Sequence, residues 1–403
     1  MTTTINQKAG TADSNPSYVS VFTVVFSEPI KKDSFTAADI TLGGTATGQS
    51  VQSITEAGSF NATTFEVRIV ATGAGTIAPS VGQELVSAIN TSSGTNQAST
   101  STDNSVTYNG SYDPGEFIFK VKTDNPGSNA NNEFLISSYV GTNNYTVDCN
   151  NDGSPEHINR STSTTCVYGA PGEYVISITG TMAGMSSYGP VGQKKVLDVL
   201  QWGTMQWETT SQMFEYQADT PGSFQISALD APNLSVVTNM SSMFVGTGVA
   251  NSFNSNINHW DTSNVVWMQS LFRNNRSYNQ PLNNWNTSSV SKTDYMFYNA
   301  NAFNQSLNEW DTGSLTTATN MFAWATAFNQ SLASWDISSV TNLSNMFFGV
   351  GLSSPNYDAT LLGWNTQPVN AVVFGAGTSS YCDSTAARQA LVSSGWTITD
   401  GGK

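Results

Sequence analysis

Apolar and polar residues alternate along the first part of the chain. One run places Phe22, Val24 and Phe26 on a single face, and another alternating run follows at residues 65–69. A period of two is typical of a β-strand that buries one of its faces. Turn-forming residues separate these runs at short intervals, which is the pattern of two packed antiparallel sheets. We therefore predict an all-β sandwich over residues 1–110.

The next segment shows the same alternation. Its apolar residues occupy every second position in two runs: Phe117, Phe119 and Val121, then Tyr174, Ile176 and Ile178. This pattern predicts a second all-β sandwich over residues 115–195. The stretch "NGSYDPGE" between the two sandwiches consists mainly of turn-forming residues, and we predict that it is a linker.

A much longer period begins near residue 196. Tryptophans recur at a constant spacing, at Trp260, Trp285, Trp310 and Trp335. We number each unit from its tryptophan, so that +5 is the fifth residue after it. One unit of this size cannot bury its own apolar residues, whereas stacked units can. The sequence therefore predicts a solenoid of stacked units over residues 196–380, closed by a C-terminal cap over residues 381–403.

Inside each unit, the apolar residues at +5, +8, +11, +12 and +15 have helical spacing and predict a short α-helix. The Leu-x-x-Trp segment then remains for a short strand that pairs with its copy in the next unit. The distance between successive tryptophans lies in the range of leucine-rich repeats. The predicted fold class is multidomain: two all-β sandwiches followed by an α/β leucine-rich-repeat solenoid with a C-terminal cap.

Three stretches resemble known domains of bacterial surface proteins. The repeat "FNQSLASWDISSVTNLSNMF" resembles the BspA-like leucine-rich repeat. The stretch "FTVVFSEPIKKDSFTAADITLGGTA" is similar to bacterial Ig-like domains, and "CVYGAPGEYVISITG" is similar to PKD-like domains. The first resemblance implies a cell-surface adhesin whose solenoid face recognises a protein or glycan of a host, the matrix or a neighbouring cell. The alternative is a structural spacer or stalk that binds nothing itself.

The composition agrees with an extracellular location. Charged residues make up 11% of the chain, against roughly 25% in an average soluble protein. The net charge of −15 repels phosphate backbones and anionic lipids, which argues against nucleic acids and membrane surfaces as partners. No apolar run is long enough for a transmembrane helix, and no secretory signal opens the chain. We expect a monomeric segment of a larger exported protein.

The sequence offers no catalytic motif. The histidines His157 and His259 are isolated, and no GxSxG, HExxH or P-loop motif is present. Acyl transfer, zinc hydrolysis and nucleotide chemistry each need one of these arrangements. We therefore predict that the protein is not an enzyme and requires no cofactor, with Ca²⁺ as the one candidate ion.

The stretch "DCNNDG" places Asp148, Asn150 and Asp152 at alternate positions before Gly153. Oxygen ligands with this spacing form the first half of an EF-hand calcium loop. The twelfth position of the loop is Asn159, where the motif has a bidentate Glu. Two interpretations remain open: an ordinary Asp/Asn/Gly turn, or a Ca²⁺ site.

Three cysteines occur in the chain. Cys149 and Cys166 flank a segment of hairpin size, and an exported protein would oxidise them if they faced each other. We predict a disulfide between them, which leaves Cys382 without a partner in this chain.

The candidate ligand-binding residues lie outside the repeating apolar positions. They are two cations, which are rare in this acidic protein, and two aromatic residues just after the Met-Phe pair: Arg273, Arg276, Tyr298 and Trp324. The recurring tryptophans are interpreted as core, with a sugar platform as the alternative. The recurring Asn-Gln pairs are interpreted as a turn ladder, with a polar binding strip as the alternative. Thr262, Thr287 and Thr312 stand in register and suggest a further alternative, an ice-binding surface.

Overall fold

The computed structural model of the chain describes these residues: 1–8, 14–15, 19–31, 34–56, 63–83, 85–86, 96–101, 103–108, 113–127, 129–139, 141–186, 194–216, 224–246, 253–367 and 371–403. They form two compact units. The first consists of Met1–Glu116, Leu200–Thr204 and Ala228–Ala231, and the second of Phe117–Val199, Met205–Ser227 and Pro232–Lys403. Within the described residues, no helix is both long enough and apolar enough to cross a membrane.

The first unit contains two four-stranded sheets and a short 3₁₀ helix, Ala37–Asp39. The first sheet is antiparallel and has the strand order β1 (Thr3–Gln7), β3 (Val19–Phe26), β6 (Thr64–Val70) and β5 (Ser50–Glu56). The second sheet has the order β2 (Ser14–Asn15), β8 (Val106–Tyr108), β7 (Gly75–Val81) and β4 (Ile40–Gly43). In this second sheet, β2 pairs in parallel with β8 and the other pairs are antiparallel.

One hydrophobic core joins these two sheets. Alternate residues of β3 and β6 contribute to it, and Phe22, Val24 and Val67 are all fully buried. At one end of the core, the rings of Phe26 and Phe35 meet edge to face with their centroids 5.2 Å apart. Burying one side chain of this size contributes roughly 1.5–3 kcal/mol, so the alternation in the sequence accounts for the cohesion of this unit.

The second unit begins with a seven-stranded sheet. Its strands are β9 (Phe117–Lys122), β11 (Asn144–Asp148), β12 (His157–Arg160), β14 (Glu173–Met182), β15 (Val196–Gln201), β16 (Gln206–Trp207) and β17 (Gln225–Ile226). The order is β12-β11-β14-β9-β15-β17, and β16 pairs with β14. Strands β10 (Glu133–Ile136) and β13 (Thr164–Val167) form a separate antiparallel pair. The large sheet thus combines strands from residues 115–195, predicted as the second sandwich, with strands from residues 196–380, predicted as the solenoid.

The repeated units stack in parallel, with equivalent positions of successive units side by side. Single parallel bridges at +7 link each unit to the next, through Asn239, Trp267, Lys292, Thr317 and Asn342. The N–H groups at +8, +10, +12 and +14 donate to carbonyls of the next unit. The N–H of Phe272, for example, donates to the Met296 oxygen at 2.9 Å, and this bond recurs one unit further on. Backbone hydrogen bonds therefore fix the register of the stack.

Identical side chains lie on top of one another inside this stack. Successive phenylalanine rings at +12 have centroids 5.5 or 5.6 Å apart: Phe272, Phe297, Phe322 and Phe347. The four tryptophans are at most 4% exposed. The indole N–H of Trp310 donates to the Leu282 oxygen at 3.0 Å, and that of Trp335 donates to the Leu307 oxygen at 3.1 Å. The core interpretation of the tryptophans is confirmed, and the sugar-platform interpretation is wrong.

The predicted α/β leucine-rich-repeat solenoid is also wrong. Of the described residues, 30% lie in β-structure and only 7% in helices. The segment from +5 to +15 forms turns, because two of its positions have positive φ and alternate N–H groups, at +8, +10, +12 and +14, bond to the next unit. The Leu-x-x-Trp segment near residues 307–310 is not a strand. The described residues contain only two α-helices, α1 (Ser354–Trp364) and α2 (Thr385–Ser393), and both follow the four tryptophan units.

The C-terminal part closes the stack with a small parallel sheet. Its strands are β18 (Asn342–Leu343), β19 (Val373–Gly375) and β20 (Thr397–Thr399), in that order. Trp396 lies against Trp364 and Phe374, with ring centroids 6.0 and 6.2 Å away. These buried rings cover the apolar end of the repeated units.

Candidate ligand-binding surface

Two backbone positions in each tryptophan unit are left-handed. Position +10 has φ of 54–59° and is occupied by Ser270, Tyr295, Asn320 and Asn345. Position +14 has φ of 57–73° and is occupied by Asn274, Asn299, Trp324 and Gly349. Glycine and asparagine tolerate this conformation best, since it brings Cβ close to the backbone carbonyl. The stacking geometry therefore favours small or amide residues at both positions.

Tyr295 and Trp324 depart from this preference. A large side chain in the left-handed region costs roughly 1–2 kcal/mol. Neither side chain belongs to the buried core, because Tyr295 is 36% exposed and Trp324 is 43% exposed. Observed backbone strain is a reason to look for function at the strained residue. Both side chains therefore stand out as candidates for contact with a ligand.

Exposed aromatic residues are concentrated on the segment from +7 to +14. We call the following set, four exposed residues and the half-buried Tyr298, the aromatic strip: Trp267, Tyr295, Tyr298, Trp324 and Phe348. The ring of Trp324 meets the ring of Phe348 edge to face at 5.2 Å, and it lies so close to Gly349 that a Cβ there would clash with it. The stacked backbone and these contacts hold the indole in place while leaving part of it open to solvent.

Arg273 lies beside two rings of the strip. Its guanidinium carbon is 5.4 Å from the centroids of both Tyr295 and Tyr298, and these two rings are 5.8 Å apart. At this distance the face of an aromatic ring attracts a cation. Across the described part of the chain, no carboxylate lies within ion-pair distance of Arg273. The rings therefore hold this cation without a direct ion pair.

One buried acid responds to the charge of Arg273 from a longer distance. Burial raises the pKa of Glu215, and the attraction of Arg273 lowers it by a smaller amount. Because the effect of burial is the larger one, this carboxyl gives up its proton less readily than an exposed glutamate does. Glu215 is itself buried and, within the described residues, forms no direct ion pair with Arg273.

The residues predicted from the sequence are only partly brought together. Arg273, Arg276 and Trp324 are exposed, and Tyr298 is half-buried. Arg273 and Tyr298 are in contact, and Trp324 belongs to the following unit. Among the described residues, the Arg276 side chain makes no ring contact. The prediction that these residues lie on the surface holds for all but the half-buried Tyr298.

Sequence reasoning missed Trp267, Tyr295 and Phe348. A signal was present in the differences between the copies. Position +10 is Ser, Tyr, Asn and Asn in the four units, and position +7 is Trp, Lys, Thr and Asn. A large aromatic residue at a position that is otherwise polar is not required by the shared fold. The sign of φ, which makes Tyr295 exceptional, could not be read from the sequence.

Acidic and basic side chains occupy different positions of the repeated units. The acidic side chains at −1 and +1 are Asp261, Glu309, Asp311 and Asp336, and the cations between +7 and +16 are Arg273, Arg276 and Lys292. Asp294 is the one acid within that second segment, and its carboxylate accepts hydrogen bonds from Thr317 Oγ1 and the Thr319 N–H, both at 2.8 Å. The segment that carries the strip is therefore cationic in a chain whose net charge is −15.

The recurring amides and hydroxyls serve the stack. The N–H of Asn304 donates to Asn279 Oδ1 at 2.9 Å, and the same bond joins Asn329 to Asn304. The turn-ladder interpretation of the Asn-Gln pairs is thus confirmed. Thr287 is buried, and its hydroxyl donates to the backbone carbonyl oxygen of Asp311 at 2.9 Å. Thr262 and Thr312 are buried in the same way, so the ice-binding alternative is wrong.

The "DCNNDG" segment forms a turn that is organised by one carboxylate. Asp148 accepts hydrogen bonds from the N–H groups of Asn150 and Asp152, both at 3.2 Å, and from that of Gly153 at 2.7 Å. Asn150 Nδ2 donates to Asp152 Oδ2 at 3.0 Å. These bonds account for the turn without an ion. Calcium at Asp148, Asn150 and Asp152 stays a prediction.

The predicted disulfide between Cys149 and Cys166 is confirmed. It joins the end of β11 to β13 and is buried. A His157 ring nitrogen and the two sulfurs lie within 4.8 Å of one another, but the disulfide occupies both sulfurs. Tyr168 donates its hydroxyl to the Cys149 oxygen at 2.8 Å, and burial raises the pKa of that phenol. Cys382 is exposed and free.

Comparison with known proteins finds a similarity over part of the chain. A family model described as "Mycoplasma protein of unknown function, DUF285" matches residues 208–332 and 289–378. No curated protein and no solved structure matches the chain. The matched residues include the repeated units and the aromatic strip, and the family description assigns no activity to them.

Proposed function

We propose that this chain is an extracellular binding module and that the aromatic strip is its contact surface for a glycan. The observation that carries the proposal is the placement of Tyr295 and Trp324. Both are large, partly exposed rings on left-handed backbone. The other tryptophan units fill these positions with small or amide residues, so the shared fold of these units does not need rings there.

A glycan suits this surface for physical reasons. The C–H faces of a sugar ring pack against aromatic rings, which provide a large apolar area and a negative face. The hydrogen-bonded ladder holds the strip on a rigid support, so little conformational freedom is lost on binding. The BspA-like resemblance of the repeats points in the same direction, because it implies adhesion at a cell surface.

The disulfide supports an exported location for this function. Bonds such as that between Cys149 and Cys166 persist in oxidising compartments and are rare in the cytosol. A surface with few charges and many hydroxyl and amide groups agrees with this location. The protein would then present the strip outside the cell that makes it.

A glycan array probed with the full chain tests the proposal. We expect reproducible binding by the wild type and a loss of about tenfold or more in the double variant Tyr295→Asn/Trp324→Asn. Val392→Asn is the matched control, since Val392 is 43% exposed on α2 and lies outside the strip. The control should bind as the wild type does, and the double variant should keep the wild-type circular-dichroism spectrum.

Two outcomes would overturn the proposal. The first is binding that survives the double variant unchanged, which would move the contact surface elsewhere. The second is the absence of binding across a broad panel of glycans, which would favour a spacer or stalk role.

A further inference from the structure

At one place in the aromatic strip, Tyr295 and Tyr298 lie beside a cation, Arg273. Tyr295 and Tyr298 each place a ring centroid 5.4 Å from the guanidinium carbon. Arg273 is exposed, and Tyr295 is partly exposed. The cluster therefore combines a cation with aromatic surface on one part of the strip.

The energetics of the cluster favour an anionic group. A guanidinium presents planar N–H donors that match two oxygens of one carboxylate or sulfate. Contact with two rings stabilises the cation and limits its rotamers, which lowers the entropy lost when it binds. Within the described residues no acid forms a direct ion pair with Arg273, so an incoming anion would not have to displace one.

The local charge agrees with this argument. Lys292 and Arg276 lie on the same segment of the repeats, between +7 and +16. The one acid of that segment, Asp294, is bonded to Thr317 and Thr319. Elsewhere the chain is strongly acidic and would repel an anion. A negatively charged ligand therefore has a reason to bind at this place.

We infer that Arg273, Tyr295 and Tyr298 form an anion subsite that selects acidic sugars, namely glycans carrying a carboxylate or a sulfate. This inference rests on the proposed function and narrows it to one class of glycan. Arg273 pairs with the anion through its guanidinium. The tyrosines hold the guanidinium and contact the sugar ring, and Trp324 stacks on sugars irrespective of their charge.

Matched glycans test the inference. The array should hold each core glycan in a neutral, a sialylated and a sulfated form, and the best-binding set is then titrated against the full chain. We expect an acidic form to bind at least about tenfold more tightly than its neutral core. The sialylated and sulfated arms show which anion is preferred. A rise from 0.05 to 0.5 M salt should reduce this preference, because salt screens exposed charges.

Variants separate the cation from the rings. Arg273→Gln should reduce binding of the acidic form about tenfold and leave the neutral core within about twofold. Arg273→Lys should recover only part of the loss, because an ammonium lacks the planar fork. Lys120→Gln on β9 removes the same charge outside the strip and should change neither affinity by more than about twofold.

The two proposals fail in different ways. Equal binding of neutral and acidic forms, or a loss in Arg273→Gln that is the same for both, would overturn the anion subsite and leave glycan binding intact. If Lys120→Gln reduced the affinity for the acidic form as much as Arg273→Gln does, a long-range effect of net charge would explain the result and the subsite would be wrong. No binding to any glycan would overturn the proposed function, and the inference with it.

Discussion

Trp324 combines two effects of opposite sign on stability. Its left-handed backbone, with φ of 62°, is strained, while its ring gains contact with Phe348 and Gly349. Trp324→Asn removes both, since asparagine tolerates this conformation. We therefore expect the free energy of unfolding to change by less than about 1 kcal/mol. Chemical denaturation followed by circular dichroism measures this change, and a loss above about 3 kcal/mol, the size expected for a buried ring, would show that the ring is structural.

Trp310 provides the contrast at the same scale. It is 4% exposed, stacks on Trp335 with centroids 6.3 Å apart, and donates its indole N–H within the stack. Replacing it with alanine leaves a cavity, and such a change costs about 3–5 kcal/mol. We expect Trp310→Ala to lower the thermal midpoint clearly. An unchanged melt would contradict the burial of this residue.

At the residue scale, the sequence predicted burial better than exposure. Regular spacing identified Trp310 and Phe322 as core, because stacked units must place like residues together. It identified Trp324 and Arg273 as surface residues only because they fall outside that spacing. Tyr295 was missed, since its importance comes from a backbone angle that no pattern of side chains expresses.

The C-terminal cap contains an ion pair whose effect depends on pH. Arg388 Nε donates to Asp400 Oδ2 at 2.7 Å, and the Tyr357 hydroxyl donates to the same oxygen at 2.8 Å. Burial raises the pKa of Asp400, but the bonds from Arg388 and Tyr357 outweigh burial and bring the pKa below its usual value. The folded state therefore binds this proton less readily than the unfolded state does.

This direction fixes the expected pH dependence. A depressed carboxyl pKa stabilises the fold fully above the unfolded value, about 3.9, and the contribution is lost as the pH falls through the folded value. We expect wild-type thermal midpoints to fall below about pH 4, and Asp400→Asn to show a smaller fall over the same range. The double variant Asp400→Asn/Arg388→Gln is the control that removes both charges. Parallel curves for the wild type and Asp400→Asn would contradict the assignment.

The disulfide between Cys149 and Cys166 is expected to stabilise the fold. Cys149 and Cys166 are 17 residues apart, and closing a loop of this size stabilises a fold by roughly 3 kcal/mol. In chemical denaturation under non-reducing conditions, we expect the free energy of unfolding of Cys149→Ser/Cys166→Ser to be lower than that of the wild type by about that amount. Under reducing conditions the wild type also lacks the disulfide, so the two proteins should be equally stable. Cys382→Ser, which removes an exposed free thiol, should leave stability unchanged. A double variant as stable as the oxidised wild type would contradict this expectation.

The helical spacing inside each unit led to the wrong fold class. Apolar residues at +5, +8, +11, +12 and +15 match a helical period, but the same residues face one core when tight turns carry them. Left-handed residues at +10 and +14 interrupt any α-helix. The N–H groups at +8, +10, +12 and +14 bond to the next unit, and those at +11, +13 and +15 bond to the residue three positions earlier, whereas an α-helix would bond each to the residue four positions earlier. Side-chain spacing alone cannot distinguish these two hydrogen-bonding patterns.

At the scale of the whole molecule, the period of the repeats was predictable and the sheet order was not. The constant spacing of the tryptophans defines the period, and the structure uses it as the register between units. The order β12-β11-β14-β9-β15-β17 depends on pairing between distant segments, which local alternation does not encode. Alternation identifies β9 and β14 as strands, but it does not show which strands pair with them.

The period allows one test of the stack as a whole. Deleting residues 304–328 removes one complete unit and joins Phe303 to Asn329, which restores the local sequence "FNQSLASWD". Each remaining unit can then bond to the next in its native register, since the inter-unit backbone bonds recur at the same positions in successive units. Stability in such an array is close to a sum over units and their interfaces. We expect a folded protein with a midpoint within about 10 °C of the full chain.

A deletion of one residue more supplies the matched control. Removing residues 304–329 leaves the +12 phenylalanines and the left-handed positions out of register by one residue across the junction. Rings would then face polar positions, and bulky residues would fall where the backbone needs positive φ. We expect this variant to unfold at a much lower temperature or to aggregate. Circular dichroism and gel filtration compare the two deletions. If both behaved alike, the matching of equivalent residues between units would not be what holds the stack together.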